Sequence, residues 1–174
     1  MKQIKSSESI ITSLLGSLLL VLLPRASWGA EISIGWTYKN FPVQIKIHEA
    51  KQTLQIWKFE NVSNLEKAGV FAEIKDSKIN LEPNRRKKFA LVAYNPTDKP
   101  LYFFAAPHST HPAEHSLGFK FQCLCINHVF VVQPKQYWYR IVEIRMSPNF
   151  SNKALDITHE IIGTDKDNAN KFGK

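Results

Sequence analysis

Cys123 and Cys125 flank a single leucine in the run Phe119-Lys-Phe-Gln-Cys-Leu-Cys-Ile126, and the 174-residue chain has no other cysteine. On a strand rising roughly 3.3 Å per residue their side chains leave the same face, with Cα atoms about 6.6 Å apart. That is near the upper limit for a disulfide, so an internal bridge would need a bent backbone. Two parallel thiolates instead suit a soft ion of low coordination number such as Cu(I). No third cysteine is available for a fold-spanning bridge, so the fold must stand on its apolar core.

The strand that carries the pair decides where the sulfurs point. A regular strand puts Phe119, Phe121, Cys123 and Cys125 on one face, with the cysteines in the core as small hydrophobes. Leu124 and Ile126 would then face the polar side. A bulge near Gln122 turns Phe119, Phe121, Leu124 and Ile126 inward and both thiols outward. The apolar count favours the bulge and hence outward, metal-ligating sulfurs. The alternative is a pair of structural, buried cysteines.

Six histidines offer nitrogen ligands. His108, His111 and His115 share the polar stretch His108-Ser-Thr-His-Pro-Ala-Glu-His115, which reads as a solvated loop ahead of the cysteine strand. Their spacing matches no standard zinc pattern. His128, three residues beyond Cys125, is the best single candidate for a nearby third ligand. Met146 is a lone thioether near a strand end and reads as packing. There is no Gly-rich phosphate loop, no nucleophile elbow and no paired carboxylates, so an enzyme is not expected. A thiol-redox role ranks lowest, because C-x-C lacks the helix-start setting that tunes a C-x-x-C pair.

The elements that must position these residues read as short β segments. Val43-Gln-Ile-Lys-Ile-His48 alternates strictly. Thr53 to Phe59 reads as a second strand, with a parity shift at Trp57. Further candidates are Val70 to Ile74, Lys78 to Leu81, Lys88 to Tyr94, Leu101 to Ala105, Phe119 to Ile126, Val129 to Val132, Tyr137 to Met146 and Ala154 to Ile162. Asn95-Pro-Thr-Asp-Lys-Pro100 is turn chemistry between two apolar strands. Residues 61 to 68 could hold a short helix, with Ser63 and Glu66 as a capping box. Many short strands at this spacing predict an all-β, immunoglobulin-like antiparallel β-sandwich over residues 30–163. Residues 164–174 read as a polar, disordered tail.

Residues 1–29 have the anatomy of a secretory signal: Lys2 and Lys5, an apolar stretch from Ile10 to Leu23, then small residues around Ser27 and Gly29. The stretch is shorter than the roughly 20 residues that span a bilayer, which favours cleavage over a short anchor. The full chain carries 23 Lys+Arg against 15 Asp+Glu, or +8. Removing Lys2, Lys5, Arg25 and Glu8 leaves 20 against 14, or +6. Such a charge suits an anionic membrane face or an acidic partner, and the plainer reading is a solvated basic surface. Arg85-Arg-Lys-Lys88 reads as a solvated loop, with no nucleic-acid motif beside it.

Asn95-Pro-Thr-Asp-Lys-Pro100, followed after a loop containing Pro112 by Phe119-Lys-Phe-Gln-Cys-Leu-Cys-Ile126, resembles the core of the CtaG/Cox11 family of cytochrome c oxidase copper-assembly proteins. Those have an Asn-Pro-Ser/Thr-Asp-Lys-Pro turn and then a Lys-Ile-Gln-Cys-Phe-Cys-Phe strand. The resemblance covers residues 55 to 162 and is specific from 95 to 126. It implies an immunoglobulin-like sandwich on the outer side of a bacterial inner membrane, hence a periplasmic domain. It further implies Cu(I) bound by Cys123 and Cys125 for delivery to the CuB centre of oxidase subunit I, often from a homodimer. Beyond the motif the chain departs: Asn127-His-Val129 replaces the family's Glu-Glu-Gln, and Gln133-Pro-Lys-Gln136 replaces its Pro-Gly-Glu turn. These departures fall where a partner would read the surface. The competing expectation is a metal-free interaction or assembly module that acts through its basic surface.

Overall fold

The computed structural model describes residues 29–124 and 128–172. Among them the chain forms β1 (Ala30–Lys39), β2 (Ile45–Ala50), β3 (Phe59–Val62), β4 (Val70–Glu73), β5 (Lys78–Leu81), β6 (Arg86–Tyr94), β7 (Leu101–Ala105), β8 (Ser109–His111), β9 (Phe119–Gln122), β10 (Phe130–Val132), β11 (Tyr137–Met146), β12 (Ala154–Thr164) and a terminal helix α1 (Lys166–Phe172). Two sheets result. One runs β10-β7-β12-β1-β5, with β8 also on β12; the other runs β3-β11-β6-β2-β4, with β9 also on β11. The protein is thus an all-β sandwich of two largely antiparallel sheets, as the sequence predicts. Its pairing is antiparallel except that β1 lies parallel to β12.

Period-two alternation explains how the layers close. Ile32 and Ile34 of β1, Phe103 of β7, Phe130 of β10 and Leu155, Ile157 and Ile161 of β12 meet Ile45 and Ile47 of β2, Phe89 and Leu91 of β6 and Trp138, Val142 and Ile144 of β11 in one core. Each such side chain contributes roughly 1.5–3 kcal/mol on burial, so the core needs no disulfide. The second sheet is also covered on its outer face, where Ala90, Val92, Tyr139 and Ile141 pack under Leu54, Leu65 and Ala68. Burial on both faces is why Phe89-Ala-Leu-Val-Ala93 and Tyr137 to Ile144 lack clean alternation.

Several elements differ from the sequence expectation. Thr53 to Phe59 is not a strand: residues 52–57 turn, Trp57 has a positive φ of 70°, and Leu54 serves as a plug over the outer face. Residues 61–68 form no capped α-helix. β3 runs to Val62, and only Glu66–Ala68 winds as a 3-10 turn, without a side-chain cap. Arg86 to Lys88 open β6 instead of lying in a loop. Ser109–His111 pairs with β12, so the histidine loop contains a strand. β1, which the sequence reading lacked, supplies the parallel partner of β12. The tail begins as α1, where Asp165 Oδ1 accepts a hydrogen bond from Asn168 N at 2.7 Å. No helix among the described residues is long and apolar enough to cross a membrane, and residues 1–28, with the signal or anchor reading, lie outside the described residues.

Candidate metal centre

β12 is the foundation of the site. Its alternation sends Leu155, Ile157, His159 and Ile161 to the inter-sheet core, and His159 is 0% exposed. Neither ring nitrogen of His159 has a hydrogen-bond partner. Leaving a buried polar group unpaired costs about 1–3 kcal/mol. Trp36, its register partner on β1, stacks on the imidazole at 5.1 Å between centroids and fixes the ring plane.

The other neighbour of β12 brings His108. Ala105 of β7 pairs with Ile161, and Ser109 of β8 pairs with Thr158. Ala106, Pro107 and His108 therefore face only His159 and Glu160. This is a bulge of one residue, held by Ala106 N donating to Glu160 O at 2.9 Å. Pro107 has no N–H to pair, which suits it to an interrupted ladder. The extra residue changes the parity and turns His108 to the core side. Its ring lies 5.3 Å from that of His159.

The second sheet brings the sulfur. β9 ends at Gln122, so Cys123 and Leu124 leave the sheet and both turn into the core, at 4% and 0% exposure. The expected bulge with outward thiols is therefore incorrect for Cys123: where the strand stops, parity no longer forces neighbours to opposite faces. Cys123 Sγ lies 3.6 Å from His108 Nδ1. Ligand atoms of His108, Cys123 and His159 all lie within 4.8 Å of one another. Phe121 packs against both imidazoles, and Phe119 against His108. The result is a thiol and two imidazoles in an apolar, aromatic enclosure, a donor set for a soft or borderline ion.

A buried cation lies near this group. Arg140, 2% exposed, sits on the core-facing parity of β11, with its guanidinium 5.1 Å from the Phe130 ring centroid and 5.8 Å from that of Phe59. No carboxylate pairs with it among the described residues, and its Nε has no hydrogen-bond partner. Burial lowers the Arg140 pKa from its ordinary value, and the charge of a Cys123 thiolate opposes that shift.

The other sequence candidates separate. Cys125 lies outside the described residues. His111 points outward from β8, and His115 packs on Phe150. His128, expected as the nearest third ligand, instead packs against Phe59 and Phe130. Its pKa is lowered by burial and then by the charge of Arg140. Met146 is core packing, as expected. His159 was not among the sequence candidates, although its signal was present: the alternation Leu155-Asp-Ile-Thr-His-Glu-Ile161 places one imidazole on an otherwise apolar face.

The sandwich has a counterpart in sequence families. A family model described as a domain of unknown function (DUF8709) matches residues 30–164, from the first residue of β1 to the last of β12, and the chain belongs to that family. No curated protein matches the chain.

Proposed function

We propose that this protein is an exported copper chaperone that carries Cu(I) at Cys123 and releases it by ligand exchange to a membrane copper enzyme. The observation that carries the reading is the Cys123 thiol facing His108 Nδ1 at 3.6 Å, beside a buried His159 whose ring nitrogens have no hydrogen-bond partner. Soft sulfur with neutral imidazole suits Cu(I), and low coordination leaves room for an incoming ligand of the acceptor. Burial shields a thiolate that an oxidising compartment would otherwise convert. The resemblance to the CtaG/Cox11 proteins names the client, the CuB centre of oxidase subunit I, and Cys125 as a further thiolate. A docking face of matching charge supports a client at the membrane: Arg86, Arg145 and Lys120 stand directly opposite one another across β6, β11 and β9, all exposed. Like charges in register are destabilising unless an anionic partner offsets them. Glu143 neutralises only part of the row, at 3.3 Å from Arg145.

Anaerobic titration of the reduced protein with Cu(I) tests the proposal. Near-stoichiometric uptake, lost in a Cys123→Ser, Cys125→Ser variant, is the expected result, and equal uptake by the two proteins would sink the cysteine assignment. The burial of Cys123 favours a second reading, a metal-free assembly module with structural cysteines. That reading predicts slow alkylation of the native thiols and no effect of copper on stability.

A further inference from the structure

We infer that the copper is held inside the sandwich by His108, Cys123 and His159, one thiolate and two imidazoles, and that Cys125 is not required to bind it. This rests on the copper reading above and adds the ligand set. Donors that share one ion at about 2.0–2.3 Å stand roughly 3.5–3.8 Å from one another. The Sγ to Nδ1 distance of 3.6 Å already has this value, and all three donors lie within 4.8 Å.

An S–H to nitrogen hydrogen bond would account for Cys123 and His108 but not for His159. Both nitrogens of that ring are buried without a partner, in a strand position that Leu or Ile would fill at no polar cost. A ligated ion removes that cost. The bulge at Ala106 to His108 points the same way, because without the extra residue His108 would face away from the core.

The charges select the ion. Among the described residues no carboxylate belongs to the group, which disfavours hard cations such as Ca2+ and Mg2+. A monovalent ion on one thiolate gives a neutral centre. A divalent ion would leave a positive centre near the buried Arg140, which has no acidic partner among the described residues. Cu(I) is therefore favoured over Zn2+. The ion also ties the first sheet, through His108 and His159, to the second, through the turn after β9.

Cu(I) competition titrations and copper K-edge absorption on the reduced protein test this ligand set. Cys125→Ser should bind within about threefold of wild type. Cys123→Ser and His159→Leu should lose more than the roughly 10–100-fold that outer-sphere changes cost. The absorption spectrum of the loaded wild-type protein should fit one sulfur and two nitrogens, a readout that needs no variant to fold. A two-sulfur fit, with binding lost in Cys125→Ser and kept in His159→Leu, would overturn the ligand set while leaving the copper reading standing. Failure of the wild-type protein to take up Cu(I) would overturn both.

Discussion

His159 shows how much one residue can reveal and how it was legible. Its position in the alternation of β12 put it on the core face, where a polar ring needs a partner. Strand parity alone could have identified it. His108 was not legible in this way, because a one-residue bulge decides its direction and nothing in Ala106-Pro-His108 fixes where the ladder resumes. Cys123 stands among the sequence's candidate residues, but the outward direction that parity predicts does not hold, because β9 ends at Gln122 and Cys123 turns into the core. Two predictions belong at this scale. His128 has a folded pKa below its ordinary value, so the folded state binds fewer protons than the unfolded state as pH falls. Its contribution is present above about pH 6.5 and is lost as pH falls through the depressed folded value. Chemical denaturation of His128→Gln between pH 7.5 and 5 should therefore show a shallower loss of stability than wild type. Arg140→Met removes a buried charge that has no carboxylate partner among the described residues and should keep or raise the stability of the metal-free protein, by up to about 1–4 kcal/mol. A marked fall in melting temperature would show that the charge is compensated in the fold.

At the scale of elements, turn chemistry was read more reliably than strand ends. Asn95-Pro-Thr-Asp-Lys-Pro100 is a turn as its composition requires, and Asn95 holds it. Its Nδ2 donates to Lys99 O at 2.8 Å and Val132 O at 3.0 Å, while Oδ1 accepts from Thr97 N and Oγ1. The Val132 bond joins the turn to β10. Asn95 is 0% exposed, so Asn95→Ala removes the side-chain bonds to Lys99 O, Val132 O and Thr97 and should cost about 2–4 kcal/mol in urea denaturation. A loss below about 0.5 kcal/mol would mean water replaces the amide. Thr53 to Phe59 differs from its strand reading for a physical reason: Leu54 and Leu65 cover the outer face of the second sheet, so Leu54 is half-buried without lying on a strand, while Trp57 and Phe59 stay exposed. Gly163 shows a similar tertiary constraint. A Cβ there would lie 1.9 Å from Asn40 O, a backbone clash that alternation within β12 cannot foretell.

For the whole molecule, the sandwich class followed from strand number and turn spacing, whereas the joining of both sheets at one donor cluster depends on topology that no single segment carries. The same topology gathers cations from three strands into the row Arg86, Arg145 and Lys120. Cosedimentation with phosphatidylglycerol vesicles should show binding that falls with salt. A Lys120→Glu, Arg86→Glu variant should weaken it by at least tenfold, given about 1 kcal/mol per basic residue near an anionic surface. Equal binding to neutral vesicles would remove this face as an electrostatic dock.

The central claim is that the folded domain holds one copper through Cys123. Native mass spectrometry of the reduced protein after anaerobic loading and removal of excess metal measures this directly. One copper per chain on wild type, and none on Cys123→Ser, is the predicted result. A metal-free wild-type mass, or the same copper content on both proteins, would contradict it.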